Sequence, residues 1–488
     1  MPGGPSSRLL WRPVGGCGLS WLSQCTAVGS AGSDDDSSVK KHDLISLPQC
    51  RGTLVDAGLD WTQTLDVHII HGVNGKHSGA EWKYRPRWIE PELARSVADH
   101  RVVVLTGARQ VGKSTLLEHA PATADWRTHS LDDPDVLRQA EREPEALWAG
   151  TTRVVIDEAQ RAPALLLAVK RAVDRDRKKR FVLSGSANFE LLRSVGESLA
   201  GRAVYLVLRP MALGEIQSRG APELMRDLLS GRLPAEGGAQ GALDPLPLIL
   251  RGFMPELPSL SSPEAVLSWW RGYVGTYMER DLRNLSQVSA LTDYRRVMEL
   301  AALRTGQLAN QTEIARDAAV SQPTVHRYLN LLETSYLLAR LPAFAAGKTA
   351  RLVKSPKLFW ADPALAAFLM GHYSLDGLRD AREIGALFEC LVFHHLQVAN
   401  DLLLPPGRLY HWGSQAGISV DFVLEWGRSL LAIEDKLSQT ARYDDVRGLE
   451  RCLASHPACR AGLLVYAGNE IVRLGEKIVA VPWTAIAR

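Results

Sequence analysis

Short apolar runs alternate with helical patterns through the first half of the chain. Residues 102–105, 154–156 and 181–183 consist of Val, Ile, Leu and Phe. Apolar runs of this length, separated by helix-length segments, are typical of strands buried on both faces of a parallel sheet. The pattern therefore predicts an α/β fold, with order beginning near Trp82.

The rest of the chain divides by composition and periodicity. Gly and Pro clusters mark loops, a 3.6-residue period marks helices and alternation marks strands. The predicted segments are a disordered or non-core extension over 1–80, an α/β domain over 81–229, a linker or insertion over 230–268, a helical segment over 269–345 and a mixed α/β domain over 346–488.

Composition and charge narrow the class of protein. The 488 residues carry 57 Lys and Arg against 54 Asp and Glu, a net charge of +3. This balance excludes a polycationic arm protein and an acidic disordered chain. No run approaches the roughly 18 apolar residues of a membrane-spanning helix. We therefore expect no membrane partner. The six cysteines form no close metal-type pair and no disulfide framework, so we expect a reducing, cytoplasmic location.

A glycine-bounded loop follows the first apolar run and precedes a helical pattern. It matches the phosphate-binding pattern G-x-x-x-x-G-K-[ST], and we call it the phosphate-binding loop: Gly107, Ala108, Arg109, Gln110, Val111, Gly112, Lys113, Ser114 and Thr115. Glycines allow the backbone N–H groups to surround a phosphate at a helix N-terminus. We expect Lys113 to bridge the β- and γ-phosphates of ATP and the Ser114 hydroxyl to bind Mg²⁺.

Two carboxylates end the second apolar run. Asp157 and Glu158 follow residues 154–156 directly. We expect Asp157 to hold Mg²⁺ and Glu158 to orient and polarise the attacking water. The third run ends in two serines, and we prefer Ser186 over Ser184 as the hydroxyl that senses the γ-phosphate. The alternative for the two carboxylates is a solvated strand edge, and the alternative for the two serines is ordinary turn chemistry.

These segments together resemble a known family. "VVVLTGARQVGKSTLL", "VVIDEAQ", "FVLSGSAN" and "SLAGRAVYLVLRPM" are similar to the AAA-type ATPase domain of a widespread prokaryotic family with a C-terminal domain of unknown function, DUF4143. The resemblance extends from about Arg85 to beyond Lys436 and implies a P-loop NTPase sheet over 81–229. It also implies that Arg202 contacts phosphates or acts on a neighbouring subunit; the alternative is a surface ion pair.

The helical segment contains a helix-turn-helix pattern. Ser321 suits an N-cap and Pro323 suits a first helical turn. We call residues 312–332 the helix-turn-helix segment. Its predicted buried stripe is Val325, Leu329 and Leu332, and its predicted exposed side is Gln322, Thr324, His326 and Arg327. With residues 336–344 as a wing, it would form a winged helix that binds double-stranded DNA. Docking of a protein partner or of a second copy is the alternative.

The local charge is compatible with contact to DNA. Residues 271–357 hold 13 Lys and Arg against 7 Asp and Glu. The near-neutral chain therefore contains a moderately basic segment, although this excess does not decide between the two partners.

A strand hairpin in the last third brings carboxylates together. With Gly427 and Arg428 as the turn, Asp421 lies opposite Glu434, and Lys436 shares the face of Glu434. Opposed carboxylates repel, which a divalent cation between them would relieve. In this pattern Asp435 faces away from the site.

The hairpin resembles the PD-(D/E)xK nuclease core, which implies a restriction-endonuclease-like C-terminal α/β domain. The resemblance implies Asp421, Glu434 and helix residue Glu389 as metal ligands, and Glu434 and Lys436 as catalytic. Gln439 and Tyr443 have the spacing of an accessory motif. The alternatives are a hairpin neutralised by Lys436 and a degenerate nuclease fold kept for structure.

Three functions remain after these patterns. The first is an ATPase switch that controls a DNA-directed module, and the second is a nucleotide-controlled protein-interaction switch with an inactive nuclease-like fold. The third, a nuclease with a vestigial ATPase, is disfavoured by the intact Lys113, Asp157 and Glu158. His394 and His395 are expected to pack in the core.

Overall fold

The structure is a computed structural model that describes residues 84–185, 199–238, 243–277, 291–345, 351, 354–414 and 417–488. The predicted extension over 1–80 and Ser186 lie outside the described residues. All described residues belong to one compact unit, residues 77–488.

A five-stranded parallel sheet forms the first half, as the apolar runs predict. Its strands lie in the order β2-β3-β4-β1-β5. They are β1 (Val102–Thr106), β2 (Arg127–Ser130), β3 (Arg153–Asp157), β4 (Arg180–Ser184) and β5 (Ala203–Val207). Strand β1 lies between β4 and β5 and is fully buried, while β2 is a polar edge strand without an apolar run.

Helices cover both faces of this sheet. They are α1 (Glu90–Asp99), α2 (Lys113–His119), α3 (Pro134–Arg142) and α4 (Pro163–Arg175). Val103 packs with Leu93 of α1 and Leu117 of α2. Val104 packs on the opposite face with Val169 of α4. Burial on both faces explains why β1 is apolar at successive positions.

The middle of the chain is helical. Its elements are α5 (Leu213–Ile216), α6 (Leu224–Leu229), β6 (Gly237–Gly238), α7 (Leu246–Arg251), α8 (Pro263–Thr276), α9 (Leu291–Ala302), α10 (Gln311–Ala318), α11 (Gln322–Thr334), β7 (Leu338–Leu341), β8 (Lys357–Trp360), α12 (Pro363–Met370) and α13 (Leu375–Arg379).

The segment predicted as a linker or insertion over 230–268 contains a packed helix, α7. Ile249 and Phe253 are fully buried in the main core. The N–H of Phe253 donates to Asp362 Oδ2 at 2.7 Å. Gly252, at φ 90°, ends α7, and Pro245 precedes its first residue. The Gly and Pro residues here thus delimit a packed helix rather than a linker.

Helices α10 and α11 form the predicted helix-turn-helix layout. Ala319 adopts φ 56° between them, and Ser321 Oγ accepts the N–H of Thr324 at 3.3 Å as an N-cap. Val325, Leu329 and Leu332 are fully buried, as predicted. Strand β7 lies within residues 336–344 and pairs antiparallel with β8.

A seven-stranded mixed sheet forms the C-terminal part, in the order β6-β13-β14-β12-β11-β10-β9. Its further elements are α14 (Ile384–Asp401), β9 (Arg408–Gly413), β10 (Ser419–Trp426), β11 (Ser429–Lys436), α15 (Arg447–Ser455), β12 (Cys459–Tyr466), β13 (Glu470–Arg473), β14 (Ile478–Pro482) and α16 (Thr484–Ala487). The pair Trp426 and Ser429 closes the β10–β11 hairpin in the predicted register.

The two faces of the C-terminal sheet have different helices. Phe388 of α14 packs with Ile433 on one face, and Leu449 of α15 packs with Ala432 on the other. Within the part of the chain described above, no helix is long and apolar enough to cross a membrane.

Candidate functional site

The phosphate-binding loop connects the C-terminal end of β1 to the first residue of α2. Gly107 has φ 146°, and a Cβ added there would lie 2.2 Å from Leu208 O. Gly112 has φ 91° and is the N-cap residue of α2. Both positions require glycine, because a side chain would meet backbone or strain the chain.

Lys113 lies over the loop that precedes it. Its buried Nζ donates to the carbonyl oxygens of Gly107 at 3.1 Å and Ala108 at 2.9 Å. The ammonium group is therefore held where the loop curls, at the N-terminus of α2. A cation there can meet an anion bound by the loop.

Asp157 accepts hydrogen bonds from two neighbouring elements. It is 8% exposed, and its Oδ2 accepts the Ser114 hydroxyl at 2.6 Å. Its Oδ1 accepts the Ser184 hydroxyl from the end of β4. The structure thus brings Ser184 to the site, whereas the preferred Ser186 is outside the described residues. A hydroxyl and a carboxylate are oxygen donors that suit Mg²⁺.

Glu158 lies beside Asp157 in an unusual backbone conformation. Its φ is 55°, a left-handed value that is uncommon for a residue with a side chain. Burial raises the pKa of its carboxyl, and the side-chain amide of Gln160 donates to it. Asp157 is the last residue of β3, and Glu158 follows it in this left-handed conformation. Two acidic side chains therefore lie next to each other at the end of the strand.

Three residues that belong to no sequence motif contact the phosphate-binding loop or the residue before it. Arg87 Nη1 donates to Val111 O at 3.1 Å, and the Tyr273 hydroxyl donates to Arg109 O at 3.4 Å. The Thr106 and Tyr336 hydroxyls lie 3.0 Å apart. Contacts between residues so distant in the chain leave no local sequence signal.

Arg202 is not directed at the phosphate-binding loop. Its guanidinium forms two hydrogen bonds with Asp174, at 2.7 and 2.9 Å. This geometry matches the surface ion pair and not the phosphate contact.

A second group of polar residues lies at the β10–β11 hairpin. Carboxylate oxygens of Glu389, Asp421 and Asp435 lie within 4.8 Å of one another, and we call these three residues the acidic cluster. Lys357 Nζ is 2.7 Å from Glu389 Oε1 and 3.3 Å from Asp421 Oδ1. No sequence pattern predicts a role for this lysine of β8.

Electrostatics of the acidic cluster follow from burial and crowding. Burial and the charge of Asp421 raise the pKa of Glu389 to about 7. Burial lowers the pKa of Lys357, but Glu389 and Asp421 outweigh that effect and the pKa is raised. The lysine therefore stays charged and compensates two of the carboxylates.

The predicted orientation of Asp435 is wrong. Asp435 is 7% exposed and belongs to the acidic cluster, whereas Glu434 does not. Glu434 instead accepts Lys436 Nζ at 2.8 Å. The register of β10 against β9 shifts between Val420 and Val423, which changes how Asp421 is presented beside β11. A strict two-residue period could not show this bulge.

The acidic cluster has donors that suit a divalent cation. Asp435 Oδ1 is buried and has no hydrogen-bond partner among the described residues. Three carboxylates are also hard oxygen ligands. Lys357 already supplies a cation at this place, however, so a metal ion would have to displace its ammonium group.

The other predicted residues have clear positions. On α11, Gln322, His326 and Arg327 are exposed and Thr324 is half-buried. Tyr443 is exposed after β11. His394 and His395 are buried, as expected: His394 Nε2 is 3.0 Å from Met211 O, and His395 Nε2 accepts the N–H of Leu213 at 3.2 Å.

The parallel sheet, the loop after β1 and the carboxylates after β3 define a P-loop domain of the AAA class. Residues 99–217 match the family described as AAA domain. Residues 384–486 match Domain of unknown function DUF4143, and residues 246–376 match Domain of unknown function DUF8612. The chain belongs to the family of AAA-domain proteins that carry a DUF4143 domain.

Two mycobacterial proteins are similar over most of their length. Uncharacterized protein Rv2008c of Mycobacterium tuberculosis and Uncharacterized protein Mb2031c of Mycobacterium bovis are each 30% identical over 393 residues. The alignment covers 80% of this chain and 82% of each relative.

Likeness to solved structures is weaker. The Walker-type ATPase PABY2304 of Pyrococcus abyssi is 17% identical, with a TM-score of 0.38 over 57% of this chain and 94% of that one. A DNA polymerase III gamma subunit-related protein of Thermotoga maritima is 12% identical, with a TM-score of 0.23 over 50% of this chain and 97% of that one.

Proposed function

We propose that this protein binds and hydrolyses ATP in the presence of Mg²⁺, and that its nucleotide state controls the helix-turn-helix segment and the C-terminal domain. The observation that carries the proposal is the convergence of Lys113, Ser114, Asp157 and Glu158 around the phosphate-binding loop. Such a switch would work in the cytoplasm, where ATP is available.

Each residue has a role that its position supports. Lys113 would leave the loop carbonyls and donate to the β- and γ-phosphates. Ser114 and Asp157 would hold Mg²⁺, which neutralises charge that develops on the phosphates. Glu158 would accept a hydrogen bond from the attacking water and orient it towards the γ-phosphate.

Control of the helix-turn-helix segment is supported by the contact between Thr106 and Tyr336. Thr106 is the last residue of β1, next to Gly107, and Tyr336 links α11 to β7. Tyr336 has φ 55°, a conformation that costs about 1–3 kcal/mol in a residue with a side chain. A change in the loop on binding ATP would reach α11 through these two hydroxyls.

The first candidate target of this control is double-stranded DNA. Helices α10 and α11 with the β7–β8 pair would form a winged helix, and Gln322, His326 and Arg327 are exposed on α11. These side chains can donate to phosphates and base edges of a major groove.

A protein-interaction switch with an inactive C-terminal domain is the second candidate. The observation that favours it is Lys357, which compensates the acidic cluster without a metal. Metal-dependent nuclease activity would require Glu434 and Lys436 to act with this cluster, whereas Lys436 Nζ donates to Glu434 Oε1 at 2.8 Å. In this case the partner is a protein or a second copy of the chain.

Steady-state ATP hydrolysis tests the proposed enzyme. We expect Mg²⁺-dependent hydrolysis by the wild type, a loss of at least a hundredfold in Lys113→Ala and in Glu158→Gln, and no change in the exposed control Lys178→Ala. Normal hydrolysis by Lys113→Ala would show that the activity does not use this loop.

DNA binding in a salt series separates the two candidate targets. We expect the affinity for duplex DNA to fall steeply with salt and to change at least threefold when ATP binds to Glu158→Gln. In the Tyr336→Phe variant of that protein, the effect of ATP should vanish, while the exposed control Tyr373→Phe keeps it. Absent or salt-insensitive binding favours the protein-interaction switch.

A further inference from the structure

Arg87 connects the phosphate-binding loop to a distant part of the domain. It lies before α1 and is 6% exposed. Its Nη1 donates to Val111 O at 3.1 Å, and its Nη2 donates to Arg209 O at 2.7 Å. Its Nε lies 3.2 Å from Glu215 Oε2. One guanidinium therefore joins the loop, the segment that follows β5 and helix α5.

The partner carboxylate is itself fixed. Glu215 is 2% exposed. Its oxygens accept the N–H of Trp88 at 2.6 Å and the N–H of Ala212 at 2.8 Å. A buried ion pair loses the hydration of both charges, and the hydrogen bonds of Glu215 offset part of that cost. The guanidinium is consequently held in one orientation.

The contact with Val111 matters because of how such a loop binds phosphate. Its N–H groups must point inward, so its carbonyl groups point away from the anion and need other donors. Val111 directly precedes Gly112, and a Cβ added at Gly112 would lie 3.9 Å from Arg87 Nη1. Arg87 thus contacts the outer side of the loop next to Lys113 and Ser114.

We infer that Arg87 is a positioning residue for nucleotide binding, which holds the phosphate-binding loop in its anion-binding shape through Val111 O. This inference rests on the proposed ATP function and deepens it. Arg87 does not touch the nucleotide; it acts on the backbone that does. Arg87 lies outside residues 99–217, which match the AAA domain. In this inference the nucleotide site therefore extends to the segment before α1.

The substitution Arg87→Lys separates positioning from simple stability. A lysine can still pair with Glu215, but its single ammonium cannot reproduce the fork that also reaches the carbonyls of Val111 and Arg209. In the Glu158→Gln background, we expect Arg87→Lys to raise the Kd for Mg·ATP roughly tenfold. The matched control Arg85→Lys should leave the Kd within twofold.

Glu215→Gln provides a second variant if Arg87→Lys folds poorly. Its amide oxygen keeps an acceptor for one of the two backbone N–H groups, and the charge that orients Arg87 is removed, so we expect an intermediate rise in Kd. A purely structural role for Arg87 would lower the melting temperature and the fraction of active protein without changing the Kd of the folded fraction.

Wild-type controls separate this inference from the proposed function. If the protein without either substitution binds ATP and both variants bind it within twofold as tightly, the positioning role is refuted while ATP binding stands. If no binding occurs even in the Glu158→Gln protein with Arg87 and Glu215 intact, the proposed function fails, and the positioning role fails with it.

Discussion

At the scale of single residues, one or two hydrogen bonds hold several buried polar side chains in place. Asp157 is held by hydroxyls of Ser114 and Ser184, so a single carboxylate ties α2, β3 and β4 together. His395 accepts the N–H of Leu213 through Nε2 and contacts Leu391 O through Nδ1 at 2.9 Å. This arrangement requires a neutral imidazole with its proton on Nδ1.

The buried His395 predicts a loss of stability in mild acid. Burial lowers its pKa to about 4 from 6.5. Between these values the unfolded chain binds a proton that the folded chain does not, so this contribution is present above pH 6.5 and is lost as pH falls towards 4. From pH 7 to pH 5 the loss from this group is about 2 kcal/mol of unfolding free energy.

Urea unfolding of His395→Gln at the two pH values measures this effect. Glutamine can keep the acceptor for Leu213 but does not titrate, so the variant should lose about 2 kcal/mol less than the wild type on acidification. The exposed control His326→Gln should follow the wild type. Equal losses in all three proteins would show that His395 does not govern this pH dependence.

At the scale of elements, helix α14 links the two sites. It carries Glu389 of the acidic cluster near one end, His395 in the middle and Asp401 at the other end. Asp401 pairs with Arg209, whose carbonyl accepts Arg87. A continuous set of contacts therefore runs from the phosphate-binding loop through residues 209–215 to the helix that holds the acidic cluster.

Removing the charge of Lys357 should destabilise the acidic cluster. Lys357→Met keeps the length of the side chain but leaves three carboxylates without a compensating ammonium. We expect the free energy of unfolding to fall by about 3 kcal/mol, because removing one member of a buried ion pair leaves uncompensated charge. Chemical denaturation measures this change.

Divalent cations should restore part of that stability. Millimolar Mn²⁺ or Mg²⁺ would meet the three carboxylates of Lys357→Met, and binding to the folded state stabilises it by mass action. The exposed control Lys354→Met should behave like the wild type. An equal response of wild type and Lys357→Met to the cations would contradict the view that the ammonium group occupies this place.

Elements with a strong local pattern could be predicted from the sequence, and contacts between distant segments could not. Strand β1 shows itself because every residue is apolar, and the hairpin register follows from the turn at Gly427. The predicted orientation of Asp435 is wrong because the bulge in β10 interrupts strand alternation. Lys357 carries no motif, since its role depends on β8 lying beside residues that are distant in the chain.

At the scale of the whole molecule, the phosphate-binding loop is enclosed by other parts of the fold. Arg87 from the segment before α1, Tyr273 from α8 and Tyr336 after α11 all contact the loop or the residue before it. A change in the loop would therefore be transmitted to the helical middle of the chain and to the C-terminal domain. This arrangement suits a switch better than an independent ATPase.

The measurement that tests this account most directly is a calorimetric titration of Mg·ATP into Glu158→Gln, compared with the same protein carrying Lys113→Ala. We predict one ATP bound per chain in the first protein and a loss of at least a hundredfold in affinity in the second, because Lys113 places an ammonium group at the N-terminus of α2, where the phosphates would bind. Equal binding by both proteins, or no binding by either, would contradict the account.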